Sequence, residues 1–125
     1  MQYLLLIYGD ERAQAEAWEG LSEDDQNREM GKWYSYTDEL RKAGVHVAGE
    51  ALQPTATAKT VRVEDGERLV TDGPFAETKE QLGGYYIVDV DSEEQAPEWA
   101  AKMPSLPHGS VEVRPIMVFP DEMPA

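Results

Sequence analysis

Histidine is the side chain that exchanges protons near neutral pH, and this 125-residue chain has two, His46 and His108. His108 precedes Gly109 at the entrance to the last predicted strand and is the stronger acid–base candidate, although a histidine there also serves as a capping or packing residue. The string Asp72-Gly73-Pro74-Phe75 offers a carboxylate on a stiff turn beside an aromatic wall, a setting suited to a general base. The same four residues also make an ordinary turn, in which Asp bonds the backbone, Gly takes unusual dihedrals and Pro restricts φ. Lys79, in the run Glu77–Glu80, and Arg114, on the last strand, are candidates for holding an anionic substrate group. Ion pairs with nearby acids are the plainer use of both, and for Arg114 the partner would be Glu112 or Glu50. Alternation places Glu50 on one strand face with His46, but four residues separate them, too far for this pair alone to hold a metal. Tyr36, with Trp33 and Tyr34, supplies ring surface for an aromatic or unsaturated ligand, or simply for a core.

The chain has no cysteine, which excludes disulfides, thiolate nucleophiles and Cys-ligated zinc. No dinucleotide-binding glycine fingerprint, phosphate loop, nucleophile elbow or zinc-protease motif is present. Redox-cofactor enzymes, kinases and triad hydrolases are thereby disfavoured, and a zinc site would have to borrow carboxylates. Acidic side chains outnumber basic ones 25 to 11, for a formal charge of −14. Such a chain is repelled by phosphate backbones and anionic lipid, and its basic residues are scattered, so neither nucleic acid nor membrane is an expected partner. The apolar run Tyr3–Tyr8 lacks the basic flank and the length of a signal peptide or a membrane span, so a cytoplasmic location is expected.

These side chains must be positioned by a small set of elements in one domain, residues 1–118, followed by a loose tail, 119–125. Tyr3–Tyr8 is continuously apolar and reads as a strand covered on both faces. The acidic stretch 10–29 reads as a solvated loop leading into a helix start. Ser22 has the character of an N-cap, acids follow it, and Met30, Trp33, Thr37 and Leu40 recur at helical spacing up to Gly44, a left-handed C-terminal cap. Val45–Leu52 reads as a strand. Lys59–Glu64 and Arg68–Thr71 flank Asp65-Gly66, a hairpin turn in which both residues take positive φ. Gly83-Gly84 signals a bulge before the strand Tyr85–Val90. A second helix begins at or shortly after Ser92, with Gln95 placed for a capping box and Pro97 near its first turn. Val111–Val118 is the last strand, with Pro115 pointing to an edge.

The order is βαββαβ with an inserted hairpin: an α+β, ferredoxin-like fold with an antiparallel sheet and two helices on one face. Two helices cover one face only, while the first strand and Tyr85–Val90 are apolar on both sides. A homodimer with sheets face to face, or closed into a dimeric α+β barrel, is therefore expected.

The segments VAGEALQPTATAKTVRV, VTDGPFAETKEQLGGYYIVDV and HGSVEVRPIM resemble the DGPF subgroup of YCII-related proteins, and the similarity runs from Tyr3 to about Met117. The resemblance implies a dimeric α+β barrel. It implies relatives that act on small molecules without metals or organic cofactors, as dehydrohalogenases, lyases, isomerases or monooxygenases. It also implies genes placed beside extracytoplasmic-function sigma factors, a stress-response context. The wider group is associated with a His/Asp pair whose His comes from the first helix. Here Trp33, Tyr34 and Tyr36 occupy that region, and Asp10, after the first strand, matches the acidic partner. Three functions are expected, two of them at a small-molecule site. One is a cofactor-independent enzyme in which Asp72 or Asp10 takes a proton, His108 acts as acid, and Arg114 or Lys79 holds an anion, aided by Phe75, Tyr36 and Glu50. The other is a non-catalytic small-molecule binder or sensor; an interaction module using the acidic face is a third.

Overall fold

The computed structural model describes residues 1–121; the last four residues of the expected tail lie outside the described residues. Six strands and three helices follow in the order β1 (Gln2–Gly9), α1 (Glu11–Glu19), α2 (Glu23–Lys42), β2 (His46–Ala51), β3 (Lys59–Glu64), β4 (Glu67–Asp72), β5 (Gln81–Asp89), α3 (Gln95–Ala101) and β6 (Ser110–Pro115). The main sheet has the order β2-β5-β1-β6 with antiparallel pairs throughout, and β3 and β4 form a separate two-stranded ribbon. This is the ferredoxin-like α+β arrangement with an inserted hairpin.

The long helix forms where its caps dictate. Ser22 Oγ accepts from the Asp25 amide at 3.2 Å, Glu23, Asp24 and Asp25 sit at the positive end of the dipole, and Gly44 takes φ +73° just past the end. Its inward stripe runs Trp33, Tyr36, Leu40; Met30, expected on that stripe, is exposed. Both hairpin-turn residues have positive φ, Asp65 at 50° and Gly66 at 77°. Gly83 is the extra residue of a bulge, since Ile7 pairs with Gly84 and Tyr8 with Leu82. The helix expected from Ser92 begins at Gln95, whose side chain accepts from the Asp91 and Ser92 amides, and Pro97 falls in its first turn, where no amide is needed.

One element departs from the expected loop. Residues 11–19 form α1, N-capped by Asp10, whose Oδ1 accepts from the Ala13 amide at 3.0 Å. This helix buries no residue. Its sequence lacks an apolar stripe, and its alanine and glutamate content supplies helix propensity instead. Glu11 fastens it, accepting from the Thr55 amide at 2.8 Å and the Thr55 hydroxyl at 2.7 Å.

The core lies between one sheet face and α2 and α3: Tyr3, Leu5, Tyr36, Leu40, Val88 and Met103 anchor it. The opposite face carries Leu4, Leu6, Tyr8, Tyr85 and Ile87, all half-buried and none packed on that core.

Candidate functional site

A cavity of about 590 Å³ opens between α2 and the core-side face of β2 and β5. Its floor is the sheet surface at Gly49, Ala51 and Gly84, small residues that let the Tyr86 ring lie against Gly49 and the Glu50 carbonyl against Gly84. A methyl group on Gly49 would lie 2.6 Å from the Tyr86 ring, and one on Gly84 would lie 2.9 Å from the Glu50 carbonyl, so neither position tolerates a side chain unchanged. Trp33, Tyr34, Thr37 and Arg41 of α2 line the opposite wall at helical spacing. Gln14 of α1 closes one end.

His46 enters this cavity because β2 does not keep its alternation. The pairing shifts between His46↔Val88 and Ala48↔Ile87, a bulge at Val47. His46 thereby shares a face with Gly49 and Tyr86, not with Glu50 as alternation predicts. Its ring meets Tyr86 edge-on at 6.2 Å between centroids, and Tyr36 meets the same ring edge-on at 5.3 Å. Tyr86 is thus held from two sides. Its hydroxyl lies 2.7 Å from Thr37 Oγ1, which in turn donates to the Trp33 carbonyl at 3.0 Å.

Two polar groups at the cavity lack protein partners. Ser105 Oγ is buried with no hydrogen bond among the described residues. Arg41, which is exposed, makes no ion pair among the described residues; Arg62, Arg68, Lys79 and Lys102 make none either, but of these five Arg41 is the one that lines the cavity. No cluster of three or more histidine, aspartate or glutamate side chains suited to a metal occurs among the described residues.

Of the residues singled out from sequence, His46, Trp33, Tyr34 and Glu50 line the cavity and the others are placed elsewhere. Glu50 lines the cavity from the edge strand, its side chain starting on the other face of the sheet. Tyr36 is core: it is 3% exposed, donates to the Trp99 carbonyl at 2.8 Å, and burial, with Tyr86 and Glu39 close by, pushes its phenol well above the usual tyrosine range. Asp10 is spent on capping α1. Asp72 ends β4 in an exposed pair with Lys59 at 2.6 Å. Phe75 and Lys79 are exposed in the loop after β4. His108 is exposed in the turn before β6. Arg114 pairs with Glu112 on the uncovered sheet face, the plainer of its two expected roles. Within one chain, Asp72, Asp10 and His108 do not meet, and none of them lines the cavity. Sequence reading missed Thr37 and Tyr86 as a polar pair, Arg41, Gly49 and Ser105. The available signal was the run of small residues in β2 and at the start of β5, which leaves space under a helix rich in aromatic residues.

The fold and the site together define a class: a ferredoxin-like α+β domain with a cavity between its sheet and its long helix. The chain matches the YCII-related domain over residues 1–120 and belongs to that family. It is 38% identical, over an alignment of 130 residues covering all of both chains, to an uncharacterised protein of Rhizobium meliloti (strain 1021).

Proposed function

We propose that this YCII-family protein binds a small organic molecule in the cavity beneath α2. The observation that carries this reading is the combination of a glycine floor with unpartnered polar groups at Ser105 and Arg41. A buried hydroxyl without a partner costs about 1–3 kcal/mol, and a ligand or solvent in the cavity relieves that cost. A panel of small organic acids and neutral fragments, screened by thermal unfolding, tests it. Binding raises Tm by mass action, and Gly49→Val, which pushes against the Tyr86 ring at the cavity floor, removes the rise. A panel in which no compound perturbs the backbone or indole resonances of Trp33 or those of His46 contradicts it.

A second reading, a cofactor-independent enzyme of the isomerase or lyase kind, is favoured by His46. It lines the cavity and is of a residue type used for general acid–base catalysis. In an isomerisation it takes a proton from one carbon of the ligand and returns it to another. His46→Gln then abolishes turnover and leaves ligand binding in place.

The dimer belongs to the same proposal. Leu4, Leu6 and Ile87 form an apolar patch that no helix covers, and a second copy of the sheet is its self-complementary cover. Light scattering is expected to return twice the 14.0 kDa chain mass. Leu6→Glu is expected to return the single chain.

A further inference from the structure

The hydrogen bonds around Tyr86 settle which way its hydroxyl points. The Trp33 carbonyl can only accept, so Thr37 gives its single hydroxyl hydrogen to that carbonyl. In the 2.7 Å contact between Thr37 Oγ1 and the Tyr86 hydroxyl, the phenol must therefore donate. Its hydrogen is committed to Thr37, and what remains available at the cavity is an oxygen that accepts. Tyr36 and His46, edge-on to the ring, keep that oxygen in place.

Arg41 lies four residues beyond Thr37 on α2, which is about 6 Å along the helix axis. It lines the same cavity and makes no ion pair with any described acid. A cation with no ion pair among the described residues, on α2, and an acceptor oxygen, on β5, thus line the same cavity.

We infer that the ligand is an organic anion carrying an O–H or N–H donor, with its anionic group on Arg41 and its donor on the Tyr86 oxygen. This rests on the reading of the cavity as a small-molecule site. Trp33, which also lines the cavity, supplies a face for a ring carrying the two groups. Tyr86 is the residue that selects the donor, and Thr37 is the positioning residue that makes it an acceptor.

Three probes separate the parts: 4-hydroxybenzoate has both groups, 4-methoxybenzoate lacks the donor, and 4-hydroxybenzyl alcohol lacks the charge. Each is titrated into the purified full chain while the Trp33 and His46 resonances are followed. 4-Hydroxybenzoate is expected to bind about tenfold more tightly than either of the others. Tyr86→Phe, which keeps the ring, is expected to erase the preference for hydroxyl over methoxyl. Arg41→Gln is expected to erase the preference for the charged probe. Thr37→Val gives a second readout that loss of fold does not mimic: it frees the phenol hydrogen, so 4-methoxybenzoate is expected to bind more tightly than to the parent chain. Equal affinities for all three probes overturn this inference and leave the cavity a binding site. So does a hydroxyl preference that survives in Tyr86→Phe. Absence of any shift at Trp33 or His46 with all three, together with a silent fragment panel, overturns both.

Discussion

Val88 and Val63 both sit in antiparallel strands. Val88 is 0% exposed, clamped between Tyr3 of β1 and His46 of β2 within the main sheet. Val63 is 70% exposed on the β3–β4 ribbon, with Val61 and Val70 on the same ribbon face and also open. Local pattern makes both of them strands. Only the layer laid over them makes one a core residue, because a two-stranded ribbon has no second layer of its own. The same division governs the polar groups. Asp72, at the end of the ribbon, pairs with Lys59 in solvent, while Tyr86 and Thr37, in the main sheet and on α2, bond each other beside a cavity.

The comparison breaks most directly with a truncation on each side. Leu5→Ala empties a fully buried site in the main sheet and is expected to lower stability by about 3 kcal/mol. Val63→Ala on the ribbon is expected to change the stability of the chain by less than about 0.5 kcal/mol. Urea unfolding midpoints report both, and similar losses at the two sites contradict the division. Gly49→Val comes next. Its side chain meets the Tyr86 ring, and overpacking of this kind costs about 1–3 kcal/mol. A smaller or absent loss would mean that the ring has room to move aside.

Tyr36 sharpens the comparison through pH. Its phenol is raised in the folded chain, chiefly by burial. For a group raised on folding, the contribution is complete below the unfolded tyrosine value of about 10 and is lost as pH rises through the folded value. Stability is therefore expected to fall above about pH 10, and Tyr36→Phe is expected to flatten that fall, as read from urea midpoints at several alkaline pH values. An unchanged alkaline slope in the variant would place the loss in other groups. The smallest contrast is between two aspartates. Asp10→Ala removes the α1 cap and is expected to cost about 1 kcal/mol. Asp72→Asn removes an exposed pair and is expected to cost less than about 0.5 kcal/mol. Reversal of that order would make the ribbon end the more strongly organised region.

Much of the fold was legible because its signals are local. Ser22 and Gly44 bound α2, Asp65-Gly66 turns the hairpin, and Gly83 makes its bulge. α1 was not legible as a helix, since it buries nothing and so leaves no stripe to read. The site was less legible for a different reason. The conspicuous string at Asp72–Phe75 has the residue types of chemistry, yet its carboxylate is tied to a surface lysine and its ring is 78% exposed. The cavity lies instead over Gly49, Ala51 and Gly84, small residues that carry no motif. His46 was assigned to the face of Glu50 because alternation was assumed to hold. The bulge at Val47 breaks that alternation in a segment whose small and apolar residues suit either register.

A crystal structure of the chain soaked with 4-hydroxybenzoate tests the central claim most directly. The account predicts density beneath α2, with the carboxylate on Arg41 and the hydroxyl within hydrogen-bond reach of the Tyr86 oxygen. Density in the loop at Phe75 or beside His108, with the space above Gly49 and Gly84 holding only solvent, would contradict it.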